Sequence, residues 1–233
     1  MGTLDRGALE GARRSLGECI LFRGLSPDER KVLVAQARIR NFSTGDTIFL
    51  MGSSGDSMMA VLEGTVRISV PSPEGKEIVL AILQPGELLG EIALLDGKER
   101  TADARAMTDC SLAILERRAV LAFLERHPSG CLSLIEVLCR RLRHSDQQIA
   151  EMVFLDLPAR LAKALLRMSS VASGRATTRI QLSQRELGNF VGSSRESINK
   201  CLREWQRSGI VRIDDNKITI TKRAALKALS DAN

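Results

Sequence analysis

A chain of 233 residues, 44% apolar and 27% charged, has room for one or two domains with a real core and the mix of an ordinary globular protein, not a disordered or fibrous one. Its net charge of +6 is uneven: from Leu157 to Asn233 there are 15 Lys/Arg against 6 Asp/Glu, net +9, which leaves −3 for the rest. No apolar run approaches the ~18 residues that span a bilayer, and Asp5, Arg6, Glu10, Arg13, Arg14 and Glu18 interrupt any secretory core, so a cytoplasmic protein with no membrane partner is expected.

The first forty residues read as helices. Ser26 is the N-cap of one of them, with Pro27 at its first position and Asp28 and Glu29 in its first turn. From Phe42 to about Ala113 short β-rich runs such as Thr47–Leu50, Met58–Leu62, Val66–Val70 and Ile78–Leu83 alternate with Gly, Pro, Asp and Ser, the pattern of a sandwich or barrel. Pro71–Gly75 reads as a hairpin connection.

The stretch Pro85–Ala102 carries chemistry. Gly90 lets the backbone approach a ligand, and Glu91 to Leu95 form a short helix whose first amides face an anion. Arg100, past the next turn, can fold its guanidinium over the same anion, and Glu91 can accept from a sugar hydroxyl. On the residues alone, a phosphate cradle competes with a plain β-corner bearing a surface arginine.

Ala119–Leu124 reads as a short helix and Ser129 to Phe154 as a long one. Along the latter, Cys131, Ile135, Leu138, Leu142, Ser145, Ile149 and Met152 recur at alternating steps of four and three, a heptad seam. Arg140, Arg141, Arg143, Gln147 and Gln148 on the other face favour a parallel dimer helix over a core helix. Leu157–Pro158 marks a hinge, followed by a helix from Ala159 to Met168 and a loop from Ser169 to Arg179.

Leu182–Gly192 reads as the first half of a helix-turn-helix, with Ser183 capping, Glu186 as its capping-box partner, Leu187 and Val191 on one face and Gly192 ending the helix. A second helix follows, with Ile198, Leu202 and Trp205 buried and Ser194, Arg195, Glu196, Asn199 and Lys200 exposed. Arg and Lys donate to guanine and Glu accepts from the cytosine amino group, so this is a base-reading set; the plainer alternative is a pair of solvated ion pairs. Gly209–Ile213 and Lys217–Ile220 flank an Asp214–Asn216 turn as a hairpin wing. This pairing, with its basic charge, points to double-stranded DNA.

Five scattered cysteines, Cys19, Cys110, Cys131, Cys139 and Cys201, without a Cys-x-x-Cys, argue against a disulfide framework or zinc site and are expected as small buried residues. His127 and His144 offer little to a metal or haem. The consecutive His144-Ser145-Asp146 point in different directions on a helix and form no catalytic triad, so no enzyme is expected.

Pro85–Ala102 resembles the phosphate-binding cassette of cyclic-nucleotide-binding domains. Gly45-Asp46, Gly52-Ser53, Asp56-Ser57-Met58 and Leu62–Val66 resemble their β-roll. Val153-Phe154-Leu155-Asp156 and Ser194-Arg195-Glu196-Ser197-Ile198 resemble the cyclic-AMP receptor protein branch of the CRP–FNR superfamily of transcription regulators. The likeness runs collinearly from about Phe22 to Thr221. It implies an α+β protein: a β-roll (jelly-roll) sensor over residues 1–128, a dimerisation helix over 129–156 and a winged helix-turn-helix over 157–233.

The resemblance also implies roles. Gly90 and Glu91 would meet the ribose 2′-hydroxyl, and Arg100 and Thr101 the cyclic phosphate, with Ile92, Ala93 and Ala102 beside them. Ile68, Leu80 and Ala81 would line the base pocket, Arg141 and Ser145 would contact the base or its surroundings, and Asp146 would reach the partner subunit's ligand. Ser183, Gln184, Ser193, Ser194, Arg195, Glu196, Asn199 and Lys200 would contact DNA at a two-fold symmetric site, and RNA polymerase would be a further partner. The effector would be a cyclic nucleotide, with no metal, iron–sulfur cluster or haem. Cyclic AMP is favoured, but Ser145-Asp146 stands where the receptor pattern has Thr-Ser, and Arg100-Thr101-Ala102 resembles cyclic-GMP-preferring cassettes. Lys200 replaces a usual second arginine. The rival expectation is a regulator of this family whose roll binds no cyclic nucleotide and answers another signal.

Overall fold

A computed structural model describes residues 19, 25–72, 77–171, 179–181, 184–214 and 217–231. The expected helices before Leu25, the Pro73–Gly75 turn, most of the loop after Ser169, Ser183 and the Asp215–Asn216 turn lie outside the described residues. The chain divides into two compact units, residues 1–73 with 79–143 and residues 74–78 with 144–233.

The first unit opens with helix α1 (Pro27–Ala35). Ser26 Oγ accepts from Glu29 N at 3.4 Å and Glu29 Oε2 accepts from Ser26 N at 2.7 Å, the reciprocal capping box. Eight strands follow, with one short helix among them: β1 (Arg38–Phe42), β2 (Thr47–Phe49), β3 (Ser57–Glu63), β4 (Val66–Pro71), β5 (Glu77–Leu83), β6 (Leu88–Leu89), helix α2 (Glu91–Asp96), β7 (Asp103–Ala106) and β8 (Cys110–Glu116). They form two four-stranded sheets, β1-β8-β3-β6 and β2-β7-β4-β5, the two-sheet roll the resemblance implies.

The unbroken apolar run of β3 is explained by burial of both faces. Met58, Ala60 and Leu62 enter a core that also takes Leu33, Val120, Phe123 and Leu134 from helices. Met59 and Val61 enter a second core with Ile68, Leu89, Ala104 and Leu112. Period-two alternation thus feeds two cores from one strand, each large side chain contributing about 1.5–3 kcal/mol.

Helices α3 (Arg117–Leu124) and α4 (Pro128–Phe154) complete this part of the chain, close to the expected bounds. Leu134 and Val137 bury one face of α4, and Cys131 packs partly on the same core. The opposite stripe is exposed: Leu132 (69%), Ile135 (53%), Leu142 (63%), Ile149 (61%) and Val153 (69%), with Cys139 and Asp146 between them. It shares Ile135, Leu142 and Ile149 with the expected seam, but its alternate positions lie one residue further on, at Leu132, Cys139, Asp146 and Val153 instead of Cys131, Leu138, Ser145 and Met152. Both phases have heptad spacing: Cys131 and Leu138 are half-buried, Cys131 against the unit's own core, while Ser145 and Met152 (42%) of the expected seam are exposed as well. Exposed Cys139 also corrects the expectation of buried cysteines, which Cys19 and Cys110 meet and half-buried Cys131 and Cys201 meet in part.

In the second unit, α5 (Leu157–Val171) begins two residues before the expected start. Asp156 Oδ1 accepts from Ala159 N at 2.9 Å and caps it, and Pro158 lies in the first turn, where a missing N–H leaves no bond unmade. α6 (Gln184–Val191) and α7 (Arg195–Arg207) follow, then β10 (Val211–Asp214) and β11 (Lys217–Ile220). Two elements were not expected. β9 (Arg179–Gln181) joins the wing as a third strand, pairing Ile180 with Ile218, and α8 (Arg223–Asp231) packs on α5. Leu161, Leu165, Leu187, Ile198, Leu202, Ile218 and Leu226 are all 2% exposed or less and form the unit's core.

Candidate effector pocket and nucleic-acid interface

The turn from β6 into α2 brings Gly90, Glu91 and Arg100 together. Gly90 has φ 80°, and a Cβ there would stand 2.2 Å from Arg100 Nη1 and 3.2 Å from the Ser57 carbonyl oxygen. Only glycine accepts both the backbone conformation and the guanidinium against it. Arg100, 4% exposed, donates from Nη1 to Gly90 O at 2.8 Å and from Nη2 to Ser57 Oγ at 3.1 Å. Its Nε–H is buried without an acceptor. Burial pulls the Arg100 pKa down while Asp56 and Glu91 push it back up; arginine remains cationic at neutral pH.

Glu91 is fully buried. Its Oε1 lies 2.9 Å from Arg141 Nη1, yet neither oxygen accepts an aligned hydrogen bond, so the contact is an ion pair with open acceptor directions. Burial pushes the Glu91 carboxyl above its ordinary range, opposed first by Arg141. Arg141, on α4, also donates from Nη2 to Leu88 O. The resemblance puts Arg141 near a base; the structure commits it to Glu91 and to the β6 backbone. Nothing in its spacing distinguishes those roles.

The other expected ligand residues divide by exposure. Leu80 (38%) and Ile92 (37%) are exposed, as are Thr101, Ser145 and Asp146, while Ala81 is half-buried. Ile68 (8%), Ala93 (2%) and Ala102 (5%) are core, so the two alanines offer a ligand their backbone and not their side chains. Two residues next to Arg100 had no expected role: Ser57, and Phe49, whose ring centroid lies 4.4 Å from the guanidinium carbon. No local motif announces the Phe49 contact, because it depends on how β2 pairs.

In the second unit, Gly192 (φ 66°) ends α6 and a tight turn leads into α7. Ser194 caps α7, its Oγ accepting from Ser197 N at 3.2 Å. Ile198, Leu202 and Trp205 anchor one face of α7. On the other, Ser194, Arg195, Glu196 and Lys200 are exposed and Asn199 is half-exposed. The stripe continues through exposed Arg203 and Arg207, which lie outside the expected base-reading set although Arg203 follows Asn199 by one helical turn. Ser193 and Gln184 are half-buried at the turn and at the start of α6.

Among the described residues no group of three or more His, Cys, Asp or Glu is placed to hold a metal ion, and no helix is long and apolar enough to cross a membrane. Residues 39–127 match the cyclic nucleotide-binding domain family and residues 159–229 the Crp-like helix-turn-helix domain family. The CRP-like cAMP-activated global transcriptional regulator of Mycobacterium tuberculosis is 31% identical over 205 residues, covering 86% of this chain and 92% of that protein. The cyclic AMP receptor protein of Thermus thermophilus is 33% identical over 210 residues, covering 90% and 96%. A solved Crp/Fnr-family regulator from Eubacterium rectale shares the fold, with a TM-score of 0.80 at 22% identity, covering 93% of this chain and all of that one. With both domains in order and near-complete relatives above 30% identity, the chain belongs to the CRP-like family of DNA-binding transcription regulators.

Proposed function

We propose that this regulator is a homodimer whose roll binds a cyclic nucleotide and whose DNA affinity depends on that binding. The observation that carries the reading is the pair of buried, incompletely satisfied groups beside Gly90: Glu91, whose Oε1 meets only the Arg141 ion pair and whose Oε2 has no hydrogen-bond partner, and Arg100, whose Nε–H has no acceptor. Buried polar groups without partners cost stability, and a ribose hydroxyl donating to Glu91 and a cyclic phosphate accepting from Arg100 would satisfy both. Exposed Leu80 and half-buried Ala81 on β5 would meet the base.

The exposed stripe of α4 supports a parallel dimer through Leu132, Ile135, Cys139, Leu142, Asp146, Ile149 and Val153. A ligand touching that helix would bias its pairing and so the DNA units. Arg195, Glu196, Asn199 and Lys200 would read base edges at a two-fold symmetric site, with Arg203 and Arg207 on phosphates. Such a protein works in the cytoplasm beside RNA polymerase. Cyclic AMP is the favoured effector, as it is in the names of the relatives above; Asp146, able to accept two N–H donors, and Thr101 make cyclic GMP the ligand to compare.

Calorimetric titration with cyclic AMP and with cyclic GMP, repeated on Arg100→Ala, tests the effector. Binding of either, lost in the variant, supports the reading. No heat with both ligands transfers the roll to another signal.

A further inference from the structure

Arg100 does not reach its place unaided. The backbone of the β2–β3 connection grips it on both sides: Gly52 N donates to Arg100 O at 2.8 Å and Arg100 N to Ser53 O at 2.9 Å. Asp103, 9% exposed, secures the same connection by accepting from Met51 N at 2.8 Å. The register between β2 and β7 shifts between Thr47 and Phe49, an irregularity of the kind that re-aims a side chain. Phe49 thereby sets its ring face under the guanidinium, 4.4 Å from centroid to Cζ. Opposite lies Gly90, whose missing Cβ leaves Nη1 its space.

We infer that Phe49 is a positioning residue for the phosphate: its ring holds the Arg100 guanidinium plane in the orientation that presents the uncommitted N–H groups to a cyclic phosphate. The inference rests on the cyclic-nucleotide reading above. Three physical effects combine. The ring's negative face offsets part of the cost of burying the cation. It packs against the guanidinium without consuming an N–H donor, so Nε–H keeps its bonding capacity. It also removes side-chain freedom that a bound anion would otherwise have to freeze. Ser57 Oγ and Gly90 O accept one N–H each and fix rotation within the plane, so Phe49, Ser57 and Gly90 together define the direction of Nε–H.

The test replaces Phe49 in the full-length protein with 4-fluoro-, 3,5-difluoro- and 3,4,5-trifluorophenylalanine, which keep the shape while draining the ring face of charge, and with leucine. Each is titrated with cyclic AMP and cyclic GMP, in the wild-type and Arg100→Gln backgrounds. The expected result is a stepwise loss of affinity with each fluorine, reaching about 5-fold for Phe49→Leu, and no dependence on residue 49 once Arg100 is glutamine. Melting temperatures check that the fluorinated proteins fold alike. Equal affinity along the series, or the same loss in both Arg100 backgrounds, overturns the inference while leaving the nucleotide reading intact. If the unsubstituted protein binds neither nucleotide, the effector reading fails and the positioning role of Phe49 fails with it.

Discussion

The two candidate binding surfaces solve opposite problems. Around Gly90 the functional groups are buried and held in place with bonding capacity to spare: Arg100 is 4% exposed and donates to Gly90 and Ser57 while its Nε–H has no acceptor, and Glu91 is fully buried against Arg141. On α7 the candidate base-reading groups Arg195, Glu196 and Lys200 stand exposed on a helix held by its far side. A small anion surrendering its water gains from a few donors fixed in a low-dielectric site, where charge interactions are strong and little reorganisation remains. Duplex DNA is large and polyanionic, and it meets a flexible cationic stripe by counterion release before any base is read. Rigid and buried suits the sensor; exposed and adaptable suits the reader.

The largest expected effect breaks the link between the two. Leu142→Asp puts a charge into the α4 stripe, and an unpaired buried carboxylate costs enough to weaken a dimer by about 100-fold or more. Sedimentation should show monomers, and DNA binding should fall with them. Mild oxidation separates the two phases of the seam. Cys139 should cross-link two copies, because equivalent heptad positions face each other in a parallel pair, and half-buried Cys131 should not. Linkage through Cys131 would restore the seam phase expected from the sequence.

Next in size, Arg100→Ala should cost about 100-fold in nucleotide affinity, since charge-assisted bonds from a buried guanidinium are lost. Residual DNA binding without nucleotide should be unchanged. On the reader, Arg195→Ala should lose about 10-fold or more on the preferred site and relax its sequence preference. Arg203→Ala should instead weaken all sequences alike and lower the salt slope by about one. Competition binding across salt concentrations distinguishes these outcomes.

The smallest effect concerns pH. Burial raises the Glu91 pKa above its ordinary 4.5, so the group's contribution to stability is complete below that value and is lost as pH rises through the folded-state pKa. Melting of nucleotide-free Glu91→Gln relative to wild type should therefore improve as pH climbs from about 4.5, by on the order of 2 °C. A gap that is flat or shrinks with pH would mean that Arg141 fully offsets the burial.

Much of this is legible in the sequence because local signals and packing agree. Ser26, Pro27 and Glu29 spell a helix start, and the strands of the roll are marked by glycine punctuation and β-rich runs. The Leu187, Val191, Ile198, Leu202 and Trp205 spacing matches the buried faces of α6 and α7. The misses have physical reasons. β9 holds one apolar residue, Ile180, and is a strand only because β11 pairs with it. α8 buries little beyond Leu226 and Ser230, a weak stripe to read from nine residues. Pro158 reads as a break because its effect depends on whether the helix starts before it, which the Asp156 cap decides. Spacing alone admits both phases of the α4 stripe, and the cross-linking pattern of Cys139 and Cys131 distinguishes them. In the pocket, Gly90, Glu91 and Arg100 are close in sequence and form a readable motif. Arg141 and Phe49 act across 50 residues of chain and need the fold.

The central claim is that one ligand in the roll changes what the reader does. The direct measurement is the affinity of the full-length protein for its preferred two-fold DNA site, selected from a random pool, with and without saturating cyclic AMP or cyclic GMP. Binding at least about 10-fold tighter is expected with one of them, and the same factor for nucleotide affinity when DNA is present. Equal DNA affinity under all three conditions, in a protein that does bind the nucleotide, would contradict it.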